Sequence, residues 1–150
     1  MEATSPLALF VCTGNYYRSR FAEYLFAHLV EKQGLSWSAD SAGLGVSWAC
    51  KINVGPISKV ALASLEGRGI TITEPRMPRD MTLDDLNNAK RIILLDEPEH
   101  RPMMREKFPD WEDHERVTYW KVLDVPPSDD FHPMDAIDPL VRELVEELSR

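Results

Sequence analysis

One short segment constrains the fold more than any other: the apolar run Leu7–Val11, which lies between a proline and a glycine. A continuous apolar run of that length is typical of a strand buried on both faces of a parallel sheet. From residue 19 to residue 33 the pattern changes to a helical period, and Gly34 follows as a stop signal. The apolar stripe of that helix contains Phe21, Leu25 and Leu29. The chain therefore begins with a strand, a loop and a helix.

The same alternation of strand and helix continues to the end of the chain. Further strands are predicted at residues 37–42, 91–95 and 118–123, and further helices at residues 58–68 and 97–108. Thr82 is predicted to cap a short helix, and Asp138 to cap the last one with Pro139 in its first turn. This order predicts a single domain over residues 1–150 with a three-layer α/β/α, flavodoxin-like fold around a parallel sheet. Ligands of such sheets bind beyond the carboxyl ends of the strands.

Composition excludes several classes of function. The formal net charge of −8 argues against a general nucleic-acid binder, since phosphate backbones require a basic surface. No apolar run approaches the ~20 residues of a membrane helix, and no basic stretch precedes the first apolar run as in a signal peptide. With two cysteines we expect free thiols in the cytoplasm. The histidines are scattered, so no metal or other cofactor is predicted.

The segment Cys12–Ser19 lies directly between the first predicted strand and the first predicted helix. Its backbone N–H groups can converge on a tetrahedral oxyanion, because Gly14 and Asn15 tolerate the torsions that such a nest needs. The helix adds its unpaired N–H groups and the positive end of its dipole. We therefore predict a phosphate-binding loop after the first strand. Its candidate substrate-binding residues are Thr13, Gly14, Asn15, Tyr16, Tyr17 and Ser19.

Cys12 and Arg18 are the candidate catalytic residues of this loop. The converging N–H groups and the helix dipole stabilise a thiolate, which is the nucleophilic form of cysteine. Arg18 presents a planar fork that suits two phosphoryl oxygens, and Ser19 can donate a hydrogen bond to the sulfur and help it leave. These parts fit the transfer of a phosphoryl group to sulfur. The alternative interpretation makes Cys12 a small buried hydrophobic residue, the usual role of a free cysteine.

A family resemblance is visible from the loop onward. The stretch VCTGNYYRSRFAEYLF, residues 11–26, resembles the signature loop and first helix of the low-molecular-weight protein tyrosine phosphatases. The likeness continues through Asp40–Gly43, Gly55–Pro56, Arg68–Ile70, Met81–Leu86 and Leu95–Asp96, and it weakens after Asp124. It implies a four-stranded parallel sheet, a phosphocysteine intermediate and no cofactor. The implied substrate is a phosphorylated protein, by default at tyrosine, or a small aryl phosphate.

The resemblance also implies roles for individual residues. Cys12 becomes the nucleophile and Arg18 the phosphate clamp. Asn15, Ser19 and Ser41 become the hydrogen-bond network that holds the loop, although Ser41 also fits the ordinary polarity of a strand end.

Several positions depart from the family pattern. Tyr17 replaces a second loop cysteine that in many members forms a disulfide with the nucleophile, and Cys50 is the only other cysteine here. Tyr16 stands at the entrance, where related protein-arginine phosphatases typically have a threonine. Trp48 fits either a second wall of the entrance or a core position. Glu74 stands where a histidine commonly supports the loop, which puts that support in question.

The general acid is the largest departure. The family uses an aspartate in an Asp-Pro-aromatic motif after the last strand, whereas residues 124–133 read DVPPSDDFHP. Asp129 restores the spacing between acid and aromatic residue two positions late, so it is the predicted proton donor, with Asp130 second. Asp129 fits a solvated acidic turn equally well. Asp124 is predicted to brace the loop, and the literal Asp-Pro at Asp138 to cap the last helix.

Three other functions compete with hydrolysis. Arsenate reductases use a similar loop, but the thioredoxin-linked form needs a pair of further cysteines and this chain has only Cys50. Phosphocarriers of sugar transport hold phosphate on cysteine but generally lack the loop arginine. A non-catalytic phosphate- or phosphoprotein-binding module remains open, because the acid motif is altered and Glu74 lies near the loop. The oligomeric state is not predicted.

Overall fold

The computed structural model describes residues 5–150, and it contains one four-stranded parallel sheet in the order β2-β1-β3-β4. The strands are β1 Leu7–Cys12, β2 Ser38–Gly43, β3 Arg91–Leu94 and β4 Val117–Tyr119. The helices are α1 Arg18–Lys32, α2 Val46–Ala49, α3 Lys59–Glu66, α4 Leu83–Asn88, α5 Glu97–Lys107 and α6 Pro133–Leu148. The predicted α/β fold with a four-stranded parallel sheet is confirmed.

The side chains of β1 alternate between two hydrophobic cores, one on each face of the sheet. Ala8, Phe10 and Cys12 point into one core, which they share with apolar side chains of α1, α3 and α6. Leu9 and Val11 point into a second core, formed with side chains around α4 and α5. Because successive side chains of a strand alternate between faces, an uninterrupted apolar run is required where both faces are covered.

The sheet register brings Cys12 to the edge where the functional loop begins. Cys12 pairs with Gly43 at the carboxyl ends of β1 and β2. A side chain at Gly43 would place its Cβ 2.5 Å from the Thr13 carbonyl oxygen, so only glycine allows this approach. Leu44 and Gly45 donate backbone hydrogen bonds to the Cys12 and Thr13 carbonyls, both at 2.9 Å. The start of the loop is therefore fixed to the end of β2.

The start of α6 corrects one prediction from the sequence. The helix begins at Pro133, six residues before Pro139, and the His132 side chain caps it by accepting from Met134 N–H. Proline is tolerated in the first turn because its missing N–H would have no partner there. Asp138 therefore lies inside the helix, where it pairs with Arg68 and Arg142 at 2.6 Å each, and it caps nothing.

Other boundaries differ from prediction by smaller amounts. The last strand is three residues long and begins one residue before its predicted start. It ends early because Lys121 forms an antiparallel bridge with Asp96 instead of continuing the parallel pairing with β3. The short helix α2 was not predicted. Thr82 caps α4 as predicted, in a capping box with Asp85.

Candidate active site

The Cys12 thiol lies at the base of a small cavity of about 50 Å³ at the carboxyl end of β1. The side chain is buried, and Sγ lies 3.0 Å from the Ser19 hydroxyl at the start of α1. The cavity is lined by Cys12, Gly14, Tyr16, Tyr17, Arg18, Asn53 and Asp124. A cavity of this size suits one tetrahedral oxyanion, which is what the loop sequence predicts.

Asn15 determines the path of the loop. It is the one non-glycine residue with positive φ among residues 5–150, at 49°, a left-handed conformation that asparagine adopts more readily than most residues. Its buried amide donates to the Ser19 and Ser41 hydroxyls, at 2.9 Å each. Because Ser19 Oγ accepts from Asn15, its own proton is free to be donated to the sulfur of Cys12.

A second set of side chains holds Asn15 from outside the loop. Arg76 donates to Asn15 Oδ1 at 2.9 Å and to the Ser41 carbonyl at 2.8 Å. The Ser41 hydroxyl donates to Glu23. Burial raises the pKa of Glu23, and this outweighs the opposing effects of the Ser41 hydrogen bond and the charge of Arg76. Glu74 is exposed, and Arg76 is the side chain of this segment that supports the loop through Asn15 and Ser41.

Arg20 is a fully buried cation directly beneath the loop. Its guanidinium donates to oxygen atoms of four residues: the carbonyls of Asn15 at 3.3 Å, Pro56 at 2.9 Å and Arg76 at 2.9 Å, and the Tyr24 hydroxyl at 3.1 Å. The side chain thus ties the loop to the segments before and after α3. It also places a second positive charge close to the phosphate site.

Arg18 has both terminal nitrogens engaged behind the cavity. Nη1 donates to the Val122 carbonyl and Nη2 to Glu99 Oε2, both at 2.8 Å, and Asp124 Oδ2 lies 3.7 Å from Nη2. Burial lowers the pKa of Arg18, but the charges of Cys12 and Glu99 outweigh that effect and the net pKa is raised. The guanidinium therefore stays charged.

Two aromatic side chains form the mouth of the cavity. The Tyr16 hydroxyl donates to the Val54 carbonyl at 2.6 Å, which fixes its ring against the segment after α2. The Tyr17 hydroxyl is buried, and burial together with the nearby Asp124 charge raises its pKa. A second cavity of about 260 Å³ adjoins the first. It shares Tyr16, Tyr17, Asn53 and Asp124, and adds Ser58, Val60, Val125, Pro126 and Pro127.

The structure separates the candidate acids. Asp124 lines both the thiol cavity and its neighbour. Asp129 and Asp130 line a different depression, together with His132 and Asp135. The residues that match the acid-to-aromatic spacing therefore do not line the thiol cavity.

Several residues of the site are not evident from the sequence. Asn53 contacts the loop so closely that a Cβ at Gly14 would lie 2.9 Å from its side-chain nitrogen. Glu99, in the first turn of α5, contacts Thr13 and Arg18. Trp48 is half exposed and is neither a lining residue of the thiol cavity nor a core residue. Long-range contacts bring Asn53 and Glu99 to the loop, and no local sequence pattern indicates these contacts.

Among residues 5–150, no helix is long and apolar enough to cross a membrane. In the same range, no group of three or more His, Cys, Asp or Glu side chains is arranged to hold a metal ion.

Comparison with known proteins agrees with this geometry. The family model described as "Low molecular weight phosphotyrosine protein phosphatase" matches residues 8–150. The chain is 28% identical to a protein-arginine-phosphatase of Bacillus subtilis, over 95% of this chain and 96% of that protein. It is 36% identical to the low molecular weight protein-tyrosine-phosphatase YfkJ of the same organism, over 59% of this chain and 54% of that protein. The crystal structure of a YwlE mutant from Bacillus subtilis superposes with a TM-score of 0.77 at 25% identity, covering 97% of this chain and 100% of that one.

Proposed function

This chain belongs to the low molecular weight phosphotyrosine protein phosphatase family, and we propose that its own substrate is phosphotyrosine in proteins. It is a cysteine-dependent phosphatase, and the proposal concerns its substrate and the roles of its residues. The observation that carries the proposal is the position of Cys12 at the base of a phosphate-sized cavity that also contains Arg18 and Asp124.

In the first step we assign the attack on phosphorus to the Cys12 thiolate. The sulfur–phosphorus bond forms in line as the bond to the leaving oxygen breaks. The loop N–H groups and Arg18 stabilise the equatorial oxygens, where negative charge is concentrated. We assign the proton donor role to Asp124 instead of Asp129, because Asp124 is the aspartate that lines this cavity. Its proton neutralises the leaving phenolate.

In the second step water hydrolyses the phosphocysteine. The Asp124 carboxylate accepts a proton from the water, whose oxygen attacks phosphorus as the bond to sulfur breaks. The Ser19 hydroxyl, 3.0 Å from Sγ, donates to the departing thiolate. Inorganic phosphate leaves, and the starting forms of Cys12 and Asp124 are restored.

The mouth of the site favours an aromatic leaving group. Tyr16 and Tyr17 line both cavities, and Pro126 and Pro127 line the outer one. A phenyl ring packs well against tyrosine and proline side chains, because their rings present compact apolar surfaces to it. The phosphate of such a substrate is then held at the loop, and its ring occupies the outer cavity.

Phosphoarginine is the second candidate substrate, and a specific observation supports it. The protein-arginine-phosphatase relative matches 95% of this chain. Tyr16 is the feature that argues against it. The hydrogen bond of Tyr16 to Val54 holds an aromatic ring at the mouth, where the arginine phosphatases that this loop resembles typically have a threonine.

The test compares hydrolysis of one peptide sequence that carries either phosphotyrosine or phosphoarginine. We expect wild type to favour phosphotyrosine by about 100-fold in kcat/KM, Cys12→Ser to be inactive on both, and Tyr16→Thr to narrow the preference to about 10-fold or less. Trp48→Thr is the control, since it removes an exposed aromatic side chain that does not line the thiol cavity. A wild-type preference for phosphoarginine would overturn the substrate assignment, and absence of hydrolysis of either would overturn the function.

The cytoplasm is the compartment that this chemistry favours. Cys12 acts only as a free thiolate, and Tyr17 provides no thiol with which it could form a protective disulfide. A reducing environment is therefore expected to keep the enzyme active.

A further inference from the structure

We propose that Glu99 is the positioning residue of this active site: it fixes the Arg18 guanidinium so that one of its edges stays open to the phosphate. The inference rests on the proposed function, and it concerns a residue that neither the loop sequence nor the family resemblance assigns. It is based on the contacts that a single carboxylate oxygen makes behind the loop.

Three side chains converge on Glu99 Oε2, and one of them, His100, also lies within hydrogen-bond distance of another, with Nε2 3.1 Å from the Thr13 hydroxyl. Arg18 Nη2 lies 2.8 Å from the carboxylate oxygen, His100 Nε2 lies 3.0 Å from it, and the Thr13 hydroxyl donates to the same atom. Thr13 and Arg18 stand at the two ends of the phosphate loop, so one oxygen connects both ends to α5. A carboxylate used only as a surface ion pair does not collect three partners from buried or nearly buried residues.

His100 is arranged to serve this carboxylate. The ring is fully buried, and its Nδ1 accepts a hydrogen bond from the Asp96 backbone N–H at 3.1 Å. A neutral ring that accepts at Nδ1 carries its proton on Nε2, which faces both the Thr13 hydroxyl at 3.1 Å and Glu99 Oε2 at 3.0 Å. The backbone at the start of α5 thus fixes the ring, and the ring fixes the carboxylate.

The contacts of Arg18 leave one edge of the guanidinium unused. Nη1 and Nη2 each make a hydrogen bond behind the loop, to Val122 and Glu99. Among residues 5–150, no acceptor bonds Nε, and Arg18 lines the thiol cavity. The Nε edge of an arginine is one of the two faces that bind two phosphate oxygens side by side. That edge consists of Nε–H and one N–H of Nη2, and because Nη2 carries two N–H groups, a single bond to Glu99 leaves one of them for the substrate. Glu99 therefore holds the guanidinium while its Nε edge stays available to the phosphate.

The charges around Arg18 explain why its partner has to be charged. The Cys12 thiolate and Asp124 both attract Arg18, and either could draw it across the open cavity. Burial raises the pKa of Glu99, but hydrogen bonds from His100 and Arg18 outweigh this effect, and the net pKa lies well below its ordinary value. Glu99 therefore stays ionised and opposes that movement at neutral pH.

The test uses Glu99→Gln, with Glu97→Gln as a matched control. Glu97 lies in the same turn of α5 and pairs with Arg101, away from the cavity. We expect Glu99→Gln to lower kcat/KM for p-nitrophenyl phosphate about 30-fold, because the Arg18 guanidinium is no longer held in place. Inhibition by inorganic phosphate should weaken by a similar factor. Glu99→Asp keeps the charge on a shorter stem, and we expect it to lose about 5-fold. Glu97→Gln should match wild type.

Two further measurements distinguish a role of Glu99 in positioning Arg18 from a general loss of structure. They also distinguish it from a failure of the proposed phosphatase activity. In an Arg18→Lys background, Glu99→Gln should cost less than 3-fold, because its effect passes through the guanidinium. In a Cys12→Ser background, calorimetry with inorganic phosphate tests the same positioning without any turnover. If Glu99→Gln does not fold, the same comparisons are made with Glu99→Asp. Phosphate affinity and kcat/KM equal to those of Glu97→Gln, or an undiminished effect in the Arg18→Lys background, would overturn the inference.

Discussion

At the scale of the residue, the shape of the phosphate loop depends on the buried amide of Asn15, which uses both its donors and its acceptor. The amide of Asn15 donates to two hydroxyls, and its oxygen accepts from Arg76 and from the Arg79 backbone N–H. No other residue type combines these donors and acceptors with a tolerance for φ of 49°. A loop held in this way is preorganised, so its N–H groups do not have to reorient when the phosphate binds.

The acid assignment is tested at this scale by comparing Asp124→Asn with Asp129→Asn. We expect Asp124→Asn to lower kcat on a phosphotyrosine peptide about 100-fold, because the leaving phenolate then departs without a proton. The loss should be smaller for p-nitrophenyl phosphate, whose leaving group needs less protonation. Steady-state kinetics on both substrates measures the difference.

Asp129→Asn is the matched control, and we expect it to retain wild-type kcat because its side chain lines a different depression. The opposite pattern, with full activity in Asp124→Asn and a large loss in Asp129→Asn, would restore the assignment predicted from the sequence.

The residue scale also shows how far the sequence predicts the site. The loop from Cys12 to Ser19 is contiguous, so its spacing alone indicates a phosphate cradle. Arg76, Glu99 and Asn53 reach the loop from distant segments through side-chain contacts that no local pattern encodes. The sequence places the acid by its spacing along the chain, which indicates Asp129, whereas position in space favours Asp124, because that side chain lines the thiol cavity and Asp129 does not.

At the scale of the element, α6 joins the rest of the fold through a partly buried ion pair. Asp138 accepts from Arg68, just beyond α3, and from Arg142 one turn further along α6. The Asp138 side chain is 17% exposed and that of Arg68 is 23% exposed, so water screens this pair less than a surface pair. Burial raises the pKa of Asp138, but hydrogen bonds from Arg142 and Arg68 outweigh it and the net pKa is lowered.

Asp138→Asn is therefore expected to reduce the free energy of unfolding by about 1–2 kcal/mol at pH 7. A carboxyl whose folded pKa is depressed stabilises the fold above its unfolded pKa and loses that effect as pH falls through the folded pKa. The difference between wild type and Asp138→Asn should thus be full at pH 7 and shrink below about pH 4. Urea unfolding at several pH values measures it.

Asp135→Asn provides the control, since Asp135 pairs with the same Arg68 but its side chain is 69% exposed. We expect it to cost less than about 0.5 kcal/mol. Equal losses in the two variants, or a difference at Asp138 that grows as pH falls, would contradict the ion-pair account.

Helices and strands were predicted well where the pattern of apolar residues extends over many positions, and less well where it is short. The first strand, α1 and the capping box of α4 follow directly from apolar pattern and cap residues. The start of α6 was misplaced because two prolines six residues apart both satisfy the rule for a first turn, and the sequence pattern did not identify His132 as the cap. The short helix α2 has four residues, too few for a helical period to appear.

At the scale of the whole molecule, an acidic protein surrounds a cationic loop. The formal net charge is −8, yet Arg18, Arg20 and Arg76 all contact or underlie residues 12–19. Burial makes this local charge effective, because screening by water and salt is weaker inside the fold than at its surface. The parallel sheet brings the loop, α5 and the segment after β4 to one edge, and the site is assembled from all three.

The most direct test of the central claim is the location of the phosphoryl group during turnover. Wild-type protein is quenched in acid within milliseconds of mixing with p-nitrophenyl phosphate, and its peptides are analysed by mass spectrometry. We expect a phosphoryl group on the sulfur of Cys12, and none at that position in Cys12→Ala, whose side chain has no nucleophile. Steady turnover with the phosphoryl group on another residue, or undiminished hydrolysis by Cys12→Ser, would contradict the account.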